Sequence, residues 1–235
     1  MSHSALSAGP VTDGTGRVLA AGGRSAVRTD GRVHVIELPD RAMTWVMTGD
    51  SITQAVLHTH GGRGWVEHVH ERIRWQLGRL TDIVINSGVS ASYAPDILAA
   101  YDHLIGRFTP DVVSISLGTN DALAGADGLA GFCQAMRSII AKAAGAQIVL
   151  HTPVLVSQAG RAYRAELPRY CQAVREIAAD SGAVLVDHEA HWLARFADED
   201  PIAWLDDPDH PNAAGHLEMA DHALRTMGLG ELTSL

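Results

Sequence analysis

Short apolar runs alternate with longer amphipathic stretches from residue 44 to residue 227 of this chain. Thr44–Thr48, Asp82–Asn86, Val112–Leu117, Gln147–His151 and Ala183–Val186 are too short for helices and rich in Val and Ile, so they read as strands. Between them the apolar spacing changes to three and four residues. Val66, Val69, Ile73 and Leu77 form one such series. Ile97, Leu98, Tyr101 and Ile105 form a second, opened near Pro95-Asp96, and Phe132, Met136, Ile139 and Ile140 a third, closed by Gly145. Further helices are predicted from about residue 165 to 180 and over Asn212–Met227. Strands that are apolar throughout, separated by helices, predict an α/β fold: a parallel sheet covered on both faces. The leading residues differ. Gly23–Arg28 and Arg32–Leu38 flank Thr29-Asp30-Gly31, a hairpin signal, so residues 1–40 read as an extension carrying a β-hairpin and residues 41–235 as the main domain.

Parallel sheets bind ligands beyond the carboxyl ends of their strands, and chemistry-bearing residues fall there. Ser51 follows the first strand in Gly49-Asp50-Ser51, Ser87–Ser92 follow the second, and Asn120 follows the third in Gly118-Thr119-Asn120-Asp121. A serine hydroxyl is a weak nucleophile until a histidine takes its proton and a carboxylate holds that histidine in the right tautomer. Among the thirteen histidines, His210 has the needed neighbour: Asp207 lies three residues back, within reach of the ring's inner nitrogen. Asp206 and Asp209 compete, and spacing does not exclude them. The Asn120 amide can serve an oxyanion, whereas Asp121 reads as structural. The Gly-x-Ser-x-Gly elbow of another serine-hydrolase class is missing, since Thr53 stands two residues after Ser51.

Taken together, Gly49-Asp50-Ser51-Ile52, Asn86-Ser87-Gly88-Val89-Ser90, Gly118-Thr119-Asn120-Asp121 and Asp207-Pro208-Asp209-His210-Pro211-Asn212 resemble the blocks of the SGNH (GDSL-type) hydrolases. The resemblance spans Thr44 to Met227. It implies a flavodoxin-like α/β/α sandwich with five parallel strands and a metal-free Ser-His-Asp mechanism. The oxyanion hole it implies comes from the Ser51 N–H, a backbone N–H of the second block, and Asn120. Where the family usually has Gly as that second donor this chain has Ala91, which reaches positive φ less readily. Gly88 is the fallback.

Weaker signals surround these. His58 and His60 sit in the loop after Ser51 and are expected at the pocket mouth, and Arg161 and Tyr163 are candidates for touching substrate after the fourth strand. His188 and His191 have helical spacing, but the intervals of a His-Glu-x-x-His zinc site are missing, so neither metal nor other cofactor is expected. His216 reads as structural. A net charge of −9 without a basic run argues against nucleic acid, and no apolar stretch approaches the ~20 residues of a membrane span. No basic-then-apolar leader is evident, and Cys133 and Cys171 read as reduced, mostly buried thiols, so a cytoplasmic protein is expected.

The resulting expectation is a serine-dependent carboxylic ester hydrolase acting on a small-molecule ester. Aromatic content of 5% and polar, Gly/Ser-rich loops favour a short acyl group, such as an O-acetyl on a sugar or small metabolite. An acyltransferase using the same residues and a non-catalytic carbohydrate- or lipid-binding module are the alternatives. The hairpin's exposed edge suggests a homo-oligomer.

Overall fold

The computed structural model describes residues 34–197 and 199–233. Its centre is a five-stranded sheet of β1 (Thr44–Gly49), β2 (Ile83–Asn86), β3 (Val112–Ser116), β4 (Gln147–His151) and β5 (Val184–Val186). The order is β2-β1-β3-β4-β5 and every pairing is parallel. All five expected strands are present. The chain steps from β1 outward to β2, then returns to place β3 on the other side of β1. Strand order therefore reverses between β1 and β3, the crevice where doubly wound sheets bind ligands.

Side chains alternate across the sheet, so the inner strands feed two cores. Trp45 and Met47 point to one layer, with α2 (Trp65–Glu71), α8 (His188–Phe196) and α9 (Ala213–Thr226) supplying Val69, Trp192 and Leu224. Val46, Val113 and Leu150 point to the other, formed by α3 (Ala94–Ala99), α4 (Tyr101–Leu104), α5 (Gly125–Lys142) and α7 (Leu167–Ser181). β2 is an edge strand, and its Ile83 is exposed because only one neighbour covers it.

The helices depart from their sequence patterns in two places. The first amphipathic series ends in a π turn over Arg72–Gln76. The series from residue 97 to 105 is broken at Ala100 and closes in a 3-10 turn at Gly106–Phe108, so regular spacing there spans two short helices. Cys133 and Cys171 lie on α5 and α7 and are free.

Of the expected hairpin, the turn and the first arm lie outside the described residues. Residues 34–38 carry no strand pairing. Ile36 is buried and donates to the Met227 carbonyl at 3.0 Å, and Glu37 exchanges hydrogen bonds with the Gln147 side chain at the start of β4.

A row of histidines runs through the α8–α9 layer. His151 Nε2 lies 2.7 Å from Ser114 Oγ, and His151 Nδ1 lies 3.0 Å from His188 Nε2. His222 meets the His188 ring edge-on and stacks on His191, whose Nε2 reaches Glu218 at 2.7 Å. Burial pushes His151 down to about 3 and His222 down to about 4, and holds His188 well below its ordinary range.

Candidate active site

β1 ends at Gly49, where a Cβ would stand 2.4 Å from the Ser116 carbonyl oxygen, so only glycine lets the chain turn this close to β3. Asp50 caps α1 (Ser51–Gln54), accepting from the Ile52 N–H at 3.0 Å. The serine that opens this helix has its Oγ 2.9 Å from His210 Nε2.

His210 belongs to a tight loop ahead of α9. The Asp206 N–H donates to the His210 carbonyl at 2.8 Å, and an isolated bridge pairs Leu205 with Pro211. Asn212 then caps α9, accepting from Ala214 and Gly215 while its NH₂ donates to the Ala203 and Leu205 carbonyls. Within this loop Asp207 faces His210 Nδ1 at 2.8 Å through Oδ2 and 3.0 Å through Oδ1. Its Oδ1 also accepts the Asp209 and His210 backbone N–H groups at 2.9 and 2.7 Å. Burial alone would raise the Asp207 carboxyl, but these donors and the His210 ring outweigh it and hold it below the usual range. It is therefore an anion at neutral pH.

The competing aspartates are committed elsewhere. Asp209 is buried and pairs with the Arg164 guanidinium at 2.7 Å, while Tyr163 donates to its other oxygen at 2.9 Å. Asp206 faces His58 Nδ1 at 2.9 Å and His60 Nε2 at 2.6 Å.

Of the four donors considered for an oxyanion hole, three have an N–H left over and the fourth does not. Among the described residues no acceptor takes the N–H of Ser51 or of Ala91. Ala91 sits at φ 63°, the left-handed region where glycine is usual. Asn120 donates one amide hydrogen to the Ser92 carbonyl at 3.1 Å, which leaves the other free. Gly88 already donates its N–H to Asn86 Oδ1 at 3.0 Å, so the fallback donor is occupied. Gly88 is instead a close-approach position: a Cβ there would lie 2.5 Å from the Gln54 nitrogen.

Two buried acids sit behind the site. Burial, together with their mutual repulsion for Asp50, pushes Asp50 up to about 7; burial pushes Asp121 up to about 6. Asp121 accepts the Ala94 N–H at 2.9 Å and so ties α3 to the loop after β3, the structural role expected of it.

His58 and His60 do lie beside the Asp207–His210 loop, and the His58 ring stacks on His210. Arg161 is turned away: its guanidinium donates to the Val156 carbonyl and lies 3.6 Å from Asp200. Tyr163 reaches the region only through Asp209. The residue missed in the sequence is Arg164, a buried guanidinium whose Nε donates to the Thr119 carbonyl at 2.9 Å while its Nη2 holds Asp209. It joins the loop carrying Asn120 to the loop carrying His210. The nearest sequence signal was the third aspartate of Asp206-Asp207-Pro208-Asp209, one more than a triad needs. His216 is buried and accepts the Trp65 N–H at 3.3 Å, a structural role as expected.

His58, Asp207 and His210 offer ligand atoms within 4.8 Å of one another. The two rings are stacked 11° from parallel, so their in-plane lone pairs run side by side and do not converge on one ion, as a metal's ligands must. The residues do not fit a metal.

A model of the GDSL-like lipase/acylhydrolase family matches residues 47–217. An acetylxylan esterase from Geobacillus stearothermophilus is 27% identical over 179 residues, covering 71% of this chain and 82% of that protein. The solved structure of a catalytic mutant of Axe2, an acetylxylan esterase of the same organism, aligns with a TM-score of 0.70 at 24% identity over 82% of this chain and 97% of that one. The α/β hydrolase LAE5, from the metagenome of Lake Arreo, aligns with a TM-score of 0.69 at 24% identity and the same coverage. At that identity these likenesses speak to the fold. Among the described residues no helix is long and apolar enough to cross a membrane.

Proposed function

Because the chain belongs to the GDSL-like lipase/acylhydrolase family and is a carboxylic ester hydrolase, we propose that Ser51, His210 and Asp207 carry its chemistry on O-acetylated sugars. The observation that carries this reading is the continuous line from Ser51 Oγ through His210 to the anionic Asp207, with contacts of 2.9 and 2.8 Å.

In this reading Ser51 Oγ attacks the ester carbonyl while His210 Nε2 takes its proton. Asp207 keeps the other ring proton on Nδ1 and stabilises the imidazolium that forms. The oxyanion receives the N–H groups of Ser51 and Ala91 and the free amide hydrogen of Asn120. Donors held in place before reaction need little reorganisation when charge develops. His210 then protonates the departing sugar oxygen, which leaves as the free hydroxyl. Water, deprotonated by the same ring, attacks the acyl-serine, and the ring returns that proton to Ser51 Oγ as acetate leaves. The acetyl-sugar preference rests on the acetylxylan esterase relative and on the polar loops that border Ser51. We place the protein in the cytoplasm, on its two free cysteines, which a reducing compartment keeps unpaired.

The test is a series of p-nitrophenyl esters of increasing acyl length beside acetylated xylo-oligosaccharides. Turnover is expected to be highest for acetate and to fall with each added pair of methylenes, with free acetate released from the oligosaccharide. A preference for long acyl chains would sink the substrate assignment. Acetyl transfer to an added alcohol in preference to water would make the protein an acyltransferase.

A further inference from the structure

Two aspartate–histidine pairs lie side by side at this site, and the proposed reaction uses only one. The second is His58 with Asp206. The His58 ring covers one face of the His210 ring, with centroids 3.9 Å apart and planes 11° from parallel. His58 Nδ1 lies 2.9 Å from Asp206 Oδ2 and 3.7 Å from Asp207 Oδ2. Asp206 is held at both ends. Its backbone N–H donates to the His210 carbonyl, and its second oxygen is taken by His60 at 2.6 Å. Asp206 thereby latches the loop after α1, which carries His58 and His60, to the loop that carries His210.

Resting on the esterase reading, we propose that His58 is a positioning residue that holds the His210 ring in its reactive plane, and that Asp206 is the anchor that holds His58. Asp207 pins His210 at Nδ1, but a ring pinned at one atom can still tilt about it. Tilting carries Nε2 away from Ser51 Oγ. The stacked His58 ring blocks that tilt from one side. The restraint matters because His210 must serve twice, taking the serine proton and later delivering it to the leaving alcohol, from nearly one position. Misplacing a reacting group by about 1 Å costs about 10²-fold, and a stacked ring pair is strong enough to account for about tenfold of that. His58 acts through His210 and is not asked to touch the substrate.

Ser51 phosphonylation by a fluorophosphonate needs His210 as base and no sugar recognition, so its rate reads ring placement directly. That rate, together with kcat and KM on an acetyl ester, is to be measured for the full-length protein and for His58→Ala, His58→Phe and Asp206→Ala. His58→Ala is expected to slow both labelling and kcat by about tenfold with KM within twofold. His58→Phe keeps a flat ring and should restore most of the loss. Asp206→Ala, which frees the His58 ring, should fall between the two. Labelling of His58→Ala at the wild-type rate overturns the proposal, as does a raised KM with kcat intact, which would make His58 a substrate contact. If thermal melting shows His58→Ala unfolded, the other two variants decide: Phe near wild type with Asp206→Ala slowed supports the proposal, and an unslowed Asp206→Ala overturns it. A wild-type Ser51 that resists the reagent overturns the esterase reading and this inference with it, whereas wild-type labelling with an indifferent His58→Ala overturns this inference alone.

Discussion

The molecule holds histidines in two contrasting settings. Around Ser51, His210 and His58 are half-buried and each faces a carboxylate, Asp207 or Asp206. In the α8–α9 layer, His188 packs against both His151 and His222, His151 meets Trp65, and Glu218 lies beyond His191. The residue type is the same and the chemistry is not. Burial outweighs the other influences and holds the inner rings neutral, while His210 keeps a carboxylate at Nδ1 and the Ser51 hydroxyl at Nε2. The site is defined by what faces each ring.

The largest break in this contrast comes from removing the group that His210 serves. Ser51→Ala is expected to lower turnover on an acetyl ester by ~10⁶ and to leave the melting temperature near that of the wild type. Retained turnover would remove Ser51 from the chemistry.

Next is the carboxylate that distinguishes the two settings. Asp207→Asn should lower kcat by up to ~10⁴ through the wrong imidazole tautomer. Asp209→Asn should act differently, since it breaks a buried pair with Arg164. It is expected to cost about 3 kcal/mol of stability in urea unfolding, with a smaller effect on the turnover of the folded fraction. If the two variants exchange these outcomes, the roles of the two aspartates are reversed.

Asn120→Ala removes one oxyanion donor and should lower kcat by ~10²–10³ with KM nearly unchanged. A raised KM with kcat kept would make the amide a substrate-binding group.

The smallest effect sharpens the contrast from the inner side. His151 and His222 stay neutral when folded until about pH 3 and 4, but each binds a proton near pH 6.5 when unfolded. Stability they contribute is present above pH 6.5 and is lost as pH falls towards those folded values, by about 1.4 kcal/mol per pH unit for each ring that titrates. Asp50 and Asp121 work in the other direction. Their folded carboxyls protonate near pH 7 and 6 against 3.8 unfolded, so they recover stability over the same range. With His188, which burial holds well below its ordinary range, and His216, which burial pushes down to about 4, added to the first group, the histidines outnumber the acids. The urea midpoint should therefore fall between pH 6.5 and pH 4.5. A midpoint that rises across that window would mean the inner rings are already charged in the native protein.

The sequence disclosed what depends on neighbours along the chain. The strands were legible because a run such as Val112–Ser116 is buried on both faces and must be apolar throughout. Asp207 and His210 were legible because three residues of separation allow a carboxylate to fold back onto its own loop. Ala91 was flagged because a non-glycine at that position must accept a positive φ, and it does. Other features depend on contacts between distant segments. His58 and Asp206 are 148 residues apart, and Arg164 and Thr119 are 45 apart. Nothing in either local sequence announces the partner. Arg161 and Tyr163 were chosen by proximity to β4, but the short helix α6 (Gln158–Arg161) turns Arg161 towards Asp200. The break at Ala100 is not legible in the sequence, because two short helices can share one apolar face.

The sheet's polarity carries one practical consequence. Every group assigned to the reaction lies on loops at the strands' carboxyl ends, while the chain enters at the opposite rim, where Glu37 meets the first residue of β4 and Arg41 pairs with Asp111 just ahead of β3. A bead or surface coupled at that far rim, in place of the exposed Arg41 side chain for example, would hold the molecule from the side opposite those loops. Coupled this way, the enzyme would stand with Ser51 facing the bulk liquid, open to substrates as large as a polymer.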